Sequence, residues 1–290
     1  MNLDIFVTSM LTGISLGMVY VIMAMGLSII LGMMDIPNFA HGVMYQLGAY
    51  TTFAVIAMVP SFIMALLLVP VVVAVVGLLT EYFGLRRLYA SGLYPQLLFL
   101  FAFSLVLRET IIIIWGSAGM SLMPPAILQG TVDLGVTEYP VYRLFLIVFA
   151  ALIVWAVWLF LSKTKYGAIV RAGIENKEMV SALGINVQRL FTFIFALGAG
   201  LAGLGGALIS PLRGTNTDMG IDILPIAFVV VVIGGLGNFQ GAIVAGLLVG
   251  ITQNLIVWFW PAASLVSIFF LMALVLLIRP QGLFGIEGRK

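Results

Sequence analysis

A single histidine stands in the 290 residues, and there is no cysteine. The histidine, His41, lies in IPNFAHGVMYQLGAY at positions 36–50, among Pro37, Asn38, Gly42, Tyr45, Gln46 and Gly48. An imidazole can shuttle a proton, ligate a metal or hold a hydrogen bond. A zinc centre draws three or four ligands from His, Cys and carboxylates, and a HExxH pair needs a second histidine, so no metal site is assigned. Absent thiols remove disulfides and cysteine nucleophiles, and a serine nucleophile would lack its G-x-S-x-G elbow. Paired carboxylates placed for acid–base work do not occur inside an apolar stretch. No catalytic residue is assigned, and the chain reads as a non-enzyme. What stays is a local pattern. Ile36-Pro37 should interrupt a helix, because proline disfavours the α region in the residue before it. Asp35 or Asn38 can cap the restart. Asn38, His41 and Tyr45 then share one face at helical spacing, and Gly48 continues it.

The elements that hold these groups follow from composition. Hydrophobic residues make up 63% and charged residues 8%, with mean hydropathy +1.23. Soluble domains carry about a quarter charged residues, and no soluble fold could hide this much apolar surface. The expected class is all-α, a polytopic helical membrane protein whose spans need roughly 20 apolar residues each. Apolar runs place them near 5–33, 39–58, 61–80, 96–115, 144–162, 190–211, 222–236, 242–260 and 264–279, with 222–236 short. That gives eight or nine crossings in one transmembrane domain over 1–290. MNLDIFVTSM lacks a basic n-region and reads as the start of the first span. The net charge of +2, with no basic block, gives no footing for nucleic acid.

Arg86 and Arg87, then Lys163, Lys165, Arg171, Lys177 and Arg189, then Arg279, Arg289 and Lys290 gather in three places. The positive-inside rule assigns these to the cytoplasm. An alternating path puts 116–142 and 212–221 outside, the N-terminus outside and the C-terminus inside. Were 36–50 re-entrant, there would be eight spans and an inner N-terminus. TVDLGVTEYPVY in the outer segment suggests a hairpin or extended strand.

Small residues run in rows: Gly13/Gly17, Ala242/Gly246/Gly250, and GAGLAGLGG at 198–206. In lipid such rows let helix backbones approach closely. GGLGNFQG at 234–241 lacks the Lys and the strand of a phosphate loop. Arg108-Glu109 is a charged pair within a span, and adjacent residues point about 100° apart on a helix. It serves either anchoring or transport. The segment 163–189 predicts a helix over 168–183 stopped by Gly184. Ile169, Gly173, Val180 and Leu183 form one side of it, with Arg171, Glu175 and Glu178 on another. By pattern alone it either lies on anionic lipid or docks a partner.

NFAHG, KTKYGAIVRA with ALGINVQR, FALGAGLAGLGGAL, GGLGNFQGAIVAG and RPQGLFG occur in that order. With them the chain resembles the LivH-type permease subunits of bacterial ABC importers for branched-chain amino acids, over nearly its whole length. The resemblance implies the ABC importer permease fold, an inner (plasma) membrane location, and a LivM-type second permease as partner. It also implies two ATP-binding cassette subunits and a periplasmic amino-acid-binding protein. No cofactor is then expected on this chain, since ATP binds the partner subunits. Coupling to the ATPase falls on 163–189, with Arg171, Glu175, Asn176, Glu178, Leu183 and Gly184 as contacts. A helix break facing a cavity suits a substrate carboxylate. Asn38, His41, Tyr45 and Gln46, and with less support Asn254, then either line a path for a zwitterion or bond neighbouring helices. Urea, short amides or other amino acids are alternative substrates, and a stand-alone carrier or channel is the rival class.

Overall fold

Without water in the hydrocarbon layer, backbone N–H and C=O groups must bond within the protein, and helices do this locally. The computed structural model describes residues 3–285, so Arg289 and Lys290 lie outside the described residues. Nine long helices fall where the apolar runs predict them. They are α1 (Leu3–Met34), α2 (His41–Met58), α3 (Phe62–Phe83), α4 (Leu93–Trp115), α5 (Val141–Lys163), α8 (Val187–Arg213), α9 (Met219–Gly234), α10 (Phe239–Phe259) and α11 (Ser264–Ile278). Two short helices, α6 (Lys165–Glu175) and α7 (Lys177–Ala182), lie between α5 and α8. The outer segment contains the expected hairpin, β1 (Thr131–Asp133) antiparallel to β2 (Glu138–Pro140), with Val132 opposite Tyr139.

α1 and α8 form the buried centre, whereas α4 and α11 present most of their surface outward. Glycine sets the spacing at the centre. Gly13 and Gly17 of α1 lie against the backbone at Gly250–Ile251 and Gly246–Leu247 of α10, and Gly32 lies against Gly237. α1 and α10 are therefore antiparallel. α8 meets α3 in the same way, Gly203 against Val73 and Ala199 against Gly77. α1 and α8 also run antiparallel, with Gly26 on Gly198 and Met23 beside Gly205. The expected rows of small residues are thus the packing seams, where van der Waals contact replaces the absent hydrophobic drive.

One end of the bundle carries the hairpin, where Thr8 Oγ1 lies 2.9 Å from Thr137 Oγ1. The opposite, basic end carries α6 and α7, where Lys177 Nζ donates to Asp35 Oδ2 at 2.8 Å. At that end a 3-10 turn, Leu85–Ser91, is clipped to α3: Tyr89 donates to the buried Glu81 carboxylate at 2.6 Å. Burial, and then that hydrogen bond, hold the Tyr89 phenol above the usual tyrosine range.

Among the described residues, seven helices are long and apolar enough to cross a membrane, and α2 and α9 are not among them. Each of these two is the second half of a broken span. After α1 ends, residues 35–40 run back into the bundle without helix, and α2 starts at His41, hydrogen-bonded to Met23 O. That carbonyl lies about 16 Å short of the end of α1 at 1.5 Å per residue. Six non-helical residues cover such a distance, at up to about 3.3 Å each. From the other end, residues 214–218 return after α8, and α9 starts at Met219, beside the start of α2. Residues 35–58 and 214–234 therefore each cross once, half extended and half helical. This favours the alternating nine-crossing path over the re-entrant one. α1–α3 and α8–α10 trace one path in opposite directions: a long helix, an extended return, a short helix from mid-depth, and a third helix antiparallel to it.

The helix expected over 168–183 is instead two. Asn176 is extended (φ −154°, ψ 96°) and its side chain accepts from the Met179 N–H at 2.9 Å. Asparagine competes with the helix for backbone partners and restarts it as a cap. Gly184 does end the second helix, in the left-handed region at φ +79°.

The two broken spans touch through backbone at Gly42 and Gly220, and a methyl on Gly42 would collide with the Gly220 carbonyl oxygen. Gly42→Ala should destabilise the protein by at least about 1–3 kcal/mol, the range for overpacking. A lower midpoint of thermal unfolding in detergent is the expected result, and an unchanged midpoint would contradict this packing.

Candidate functional site

The two mid-depth helix starts are built alike. Asn38 Oδ1 accepts from the Ala40 N–H at 3.0 Å, and His41 N–H reaches Asn38 O at 3.2 Å. Asn216 Oδ1 accepts from the Asp218 N–H at 3.0 Å, and Met219 N–H reaches Asn216 O at 3.5 Å. Each asparagine closes an Asx turn, in which its side chain takes the place of a backbone acceptor. The crossing glycine follows four residues later in both, Gly42 and Gly220. One local solution is used twice, from opposite ends.

Side chains bond backbone carbonyls at and beside the two breaks. His41 donates from Nε2 to the Met23 carbonyl of α1 at 3.0 Å. The Thr217 carbonyl, left outside any helix, accepts from Gln46 Nε2 of α2 at 3.1 Å and from Arg108 Nε of α4 at 3.1 Å. Arg108 also donates to Asp218 and to Glu109, both at 2.7 Å. The intramembrane charges are therefore joined, and the joint anchors the lead-in to α9. The long arginine side chain reaches past the 100° that separates it from Glu109.

Asn38, His41, Tyr45 and Gln46 are all buried, His41 turned to α1 and Gln46 to the lead-in of α9, and α2 is buried without interruption from His41 to Thr52. Three polar atoms in the group have no partner: Asn38 Nδ2, His41 Nδ1 and Gln46 Oε1. With Nε2 donating, Nδ1 is the bare acceptor of the imidazole. One donor and two acceptors are thus buried at mid-depth without a hydrogen-bond partner. Asn254 is not part of this group. It donates to the Ser9 carbonyl at 2.6 Å, fastening α10 to α1. Ser9 lies about 21 Å along α1 from Met23 at 1.5 Å per residue.

At the basic end, Arg171, Glu175, Asn176, Glu178, Leu183 and Gly184 all lie on the exposed surface of α6 and α7. Leu183 was expected on the packed side with Gly173 and Val180 but is 73% exposed. The break at Asn176 rotates α7 relative to the helical pattern, and Val170 instead joins Gly173 and Val180 in the interior. A cavity of about 830 Å³ opens beside these helices, lined in part by Asp35, Pro37, Asn176, Lys177 and Gln281.

Sequence reading missed Asn216, the partner of Asn38, although both stand four residues before a glycine. It also missed the pairing of Arg108 with Asp218. Among the described residues, no three His, Asp or Glu side chains converge as a metal ion would require.

A helical bundle with two spans broken at mid-depth, polar groups left open beside the breaks and a soluble helix pair at one end has the construction of a membrane transport permease. Comparison with known proteins specifies it further. The family described as branched-chain amino acid transport system / permease component matches residues 9–278, and the chain belongs to that family. It is 29% identical to the high-affinity branched-chain amino acid transport system permease protein LivH of Escherichia coli (strain K12), over 97% of this chain and 96% of the relative. To the BraD permease protein of Pseudomonas aeruginosa it is 28% identical, again over 97% and 96%. The E. coli LivM permease is 26% identical over 93% of this chain and 68% of the relative. No solved structure matches the chain.

Asn38→Ala should leave the buried Ala40 N–H unpaired, a loss of about 1–3 kcal/mol. The turn at Asn216 is exposed, so Asn216→Ala should cost less. The expected result is a larger drop in thermal midpoint for Asn38→Ala, and equal drops would contradict this difference in burial.

Proposed function

We propose that the chain is the membrane-spanning permease subunit of an ATP-driven importer that takes branched-chain amino acids from a periplasmic binding protein into the cytoplasm. Its similarity to LivH proteins along the whole length carries this reading. In it a LivM-type chain is the second permease, and a pair of ATP-binding cassette subunits docks on α6 and α7. ATP is bound by those subunits and no cofactor by this chain. The Lys and Arg residues of the basic end, α6 and α7 included, favour the cytoplasm for that end. The N-terminus and the hairpin of 116–142 are then periplasmic.

Energy from ATP fits the buried polar groups of the breaks, which are neutral. Ion-coupled carriers commonly keep titratable groups free along the path, whereas Arg108, Glu109 and Asp218 are paired with one another. Docking on the exposed face of α6 and α7 involves Arg171, Glu175, Asn176, Glu178, Leu183 and Gly184. The open groups of Asn38, His41 and Gln46, with Tyr45 beside them, form the polar wall that the zwitterion meets once the breaks separate. Asn254 acts at a distance from it, in the seam between α10 and α1.

Gentle purification from the native membrane should bring a second permease and the ATPase subunits with this chain. Recovery of the chain alone, from a preparation that preserves other complexes, would remove the importer reading. With the importer in proteoliposomes, His41→Ala should lower leucine uptake about tenfold, the loss for a hydrogen bond worth about 1.4 kcal/mol, while the subunits still assemble. Unchanged uptake kinetics would take His41 out of the path.

A further inference from the structure

Two breaks in the chain meet at the basic end. Asp35 follows the last turn of α1, and its N–H closes on Leu31 O at 3.0 Å. It is the sole non-glycine residue with positive φ among the described residues, at +57°. Asp and Asn tolerate the left-handed region better than other non-glycine residues. This turn aims Ile36-Pro37 back into the bundle and so sets the direction of the whole lead-in to α2. The second break is Asn176, between α6 and α7. Lys177, the first residue of α7, donates to the Asp35 carboxylate at 2.8 Å.

A buried contact reinforces the ion pair. Gly173 on the packed face of α6 receives the Met33 side chain, and a methyl at Gly173 would collide with the Met33 thioether end. Met33 and Asp35 flank the end of α1, and Gly173 and Lys177 flank the end of α6. The two helix ends are thus clasped from both sides. Beside the clasp, the cavity of about 830 Å³ is lined by Asp35, Pro37, Asn176 and Lys177, so both breaks face open space into which they can move.

We propose that Asp35 and Lys177 are positioning residues for transport, linking the ATPase-docking helices to the lead-in of the inner broken span. The proposal rests on the docking reading of α6 and α7. Lys177 and Asp35 are 45% and 63% exposed, and a pair so wetted adds little to stability. Its effect is on direction: a displacement of α7 pulls on the one residue whose backbone turns the chain toward His41. Lead-in and α7 then move as one body, and the mid-depth contact of α2 with α9 responds to the docked subunits.

The test uses the complete importer in proteoliposomes, with leucine uptake scored per ATP hydrolysed. Asp35→Asn keeps the left-handed preference and removes only the charge, and Lys177→Gln removes its partner. Each should lower uptake per ATP at least about fivefold, the lower bound of usual coupling between sites. Lys177→Arg should retain it. The double variant should be no worse than either single one, as residues of one contact are not additive. Uptake per ATP unchanged in both single variants, or additive losses in the double, would overturn the link. Docking is scored separately. The chain has no cysteine, so Glu178→Cys places one thiol for a photoactivated cross-linker. Failure of that thiol to reach the ATPase in an actively hydrolysing complex would remove the docking reading and this inference with it. Cross-linking with unaltered coupling would overturn the inference alone.

Discussion

Everything unusual in this bundle follows from one constraint: a peptide group at hydrocarbon depth has no water to bond. Two stretches of the chain abandon helix at that depth, 35–40 and 214–218. Their peptide groups must be met by protein, and several of them visibly are. Asparagine side chains close the first turn at each break, Arg108 and Gln46 converge on the Thr217 carbonyl, and His41 meets a carbonyl of α1. The first break is buried beside α1 and α8, which form the centre, whereas the second is held by α2 and α4. Long, closely packed helices are the enclosure that two short ones require.

Close approach is the second requirement, and glycine provides it. The seams α1–α10 and α2–α8 place backbone against backbone, as does the crossing of α2 and α9 at Gly42 and Gly220. At such a contact an added methyl has nowhere to go, because its neighbour is main chain rather than a side chain free to rotate away. The crossing therefore holds two helix starts in register. The unpartnered polar atoms at the start of α2 sit beside this close contact rather than in a loose loop.

The sequence made much of this legible, and the limits have physical causes. Apolar runs located all nine long helices, because the length of a span is set by the bilayer. Ile36-Pro37 announced the first break, since proline acts on its own neighbour. The second break holds no proline of its own, and Pro211 ahead of it stays inside the last turn of α8, so only Gly214 and Asn216 mark the stop, and 222–236 looked merely short. The split at Asn176 was hidden because asparagine is neutral enough in a helix that only its cap geometry reveals the stop. Tertiary partners were out of reach: nothing local told that Arg108 would find Asp218, or that Lys177 would find Asp35. The polar face of α2 was foreseen, and what it bonds to was not.

The opposed paths of α1–α3 and α8–α10 have one more consequence. Two such halves, taken alone, form an object with no top or bottom, and turning it over exchanges one half for the other. Hydrophobicity could insert it either way with equal ease. The tie is broken by what lies outside the two halves, chiefly the stretch between them with its hairpin at one end and its basic helix pair at the other. The polarity of this molecule belongs mainly to the connector between the halves rather than to the halves themselves.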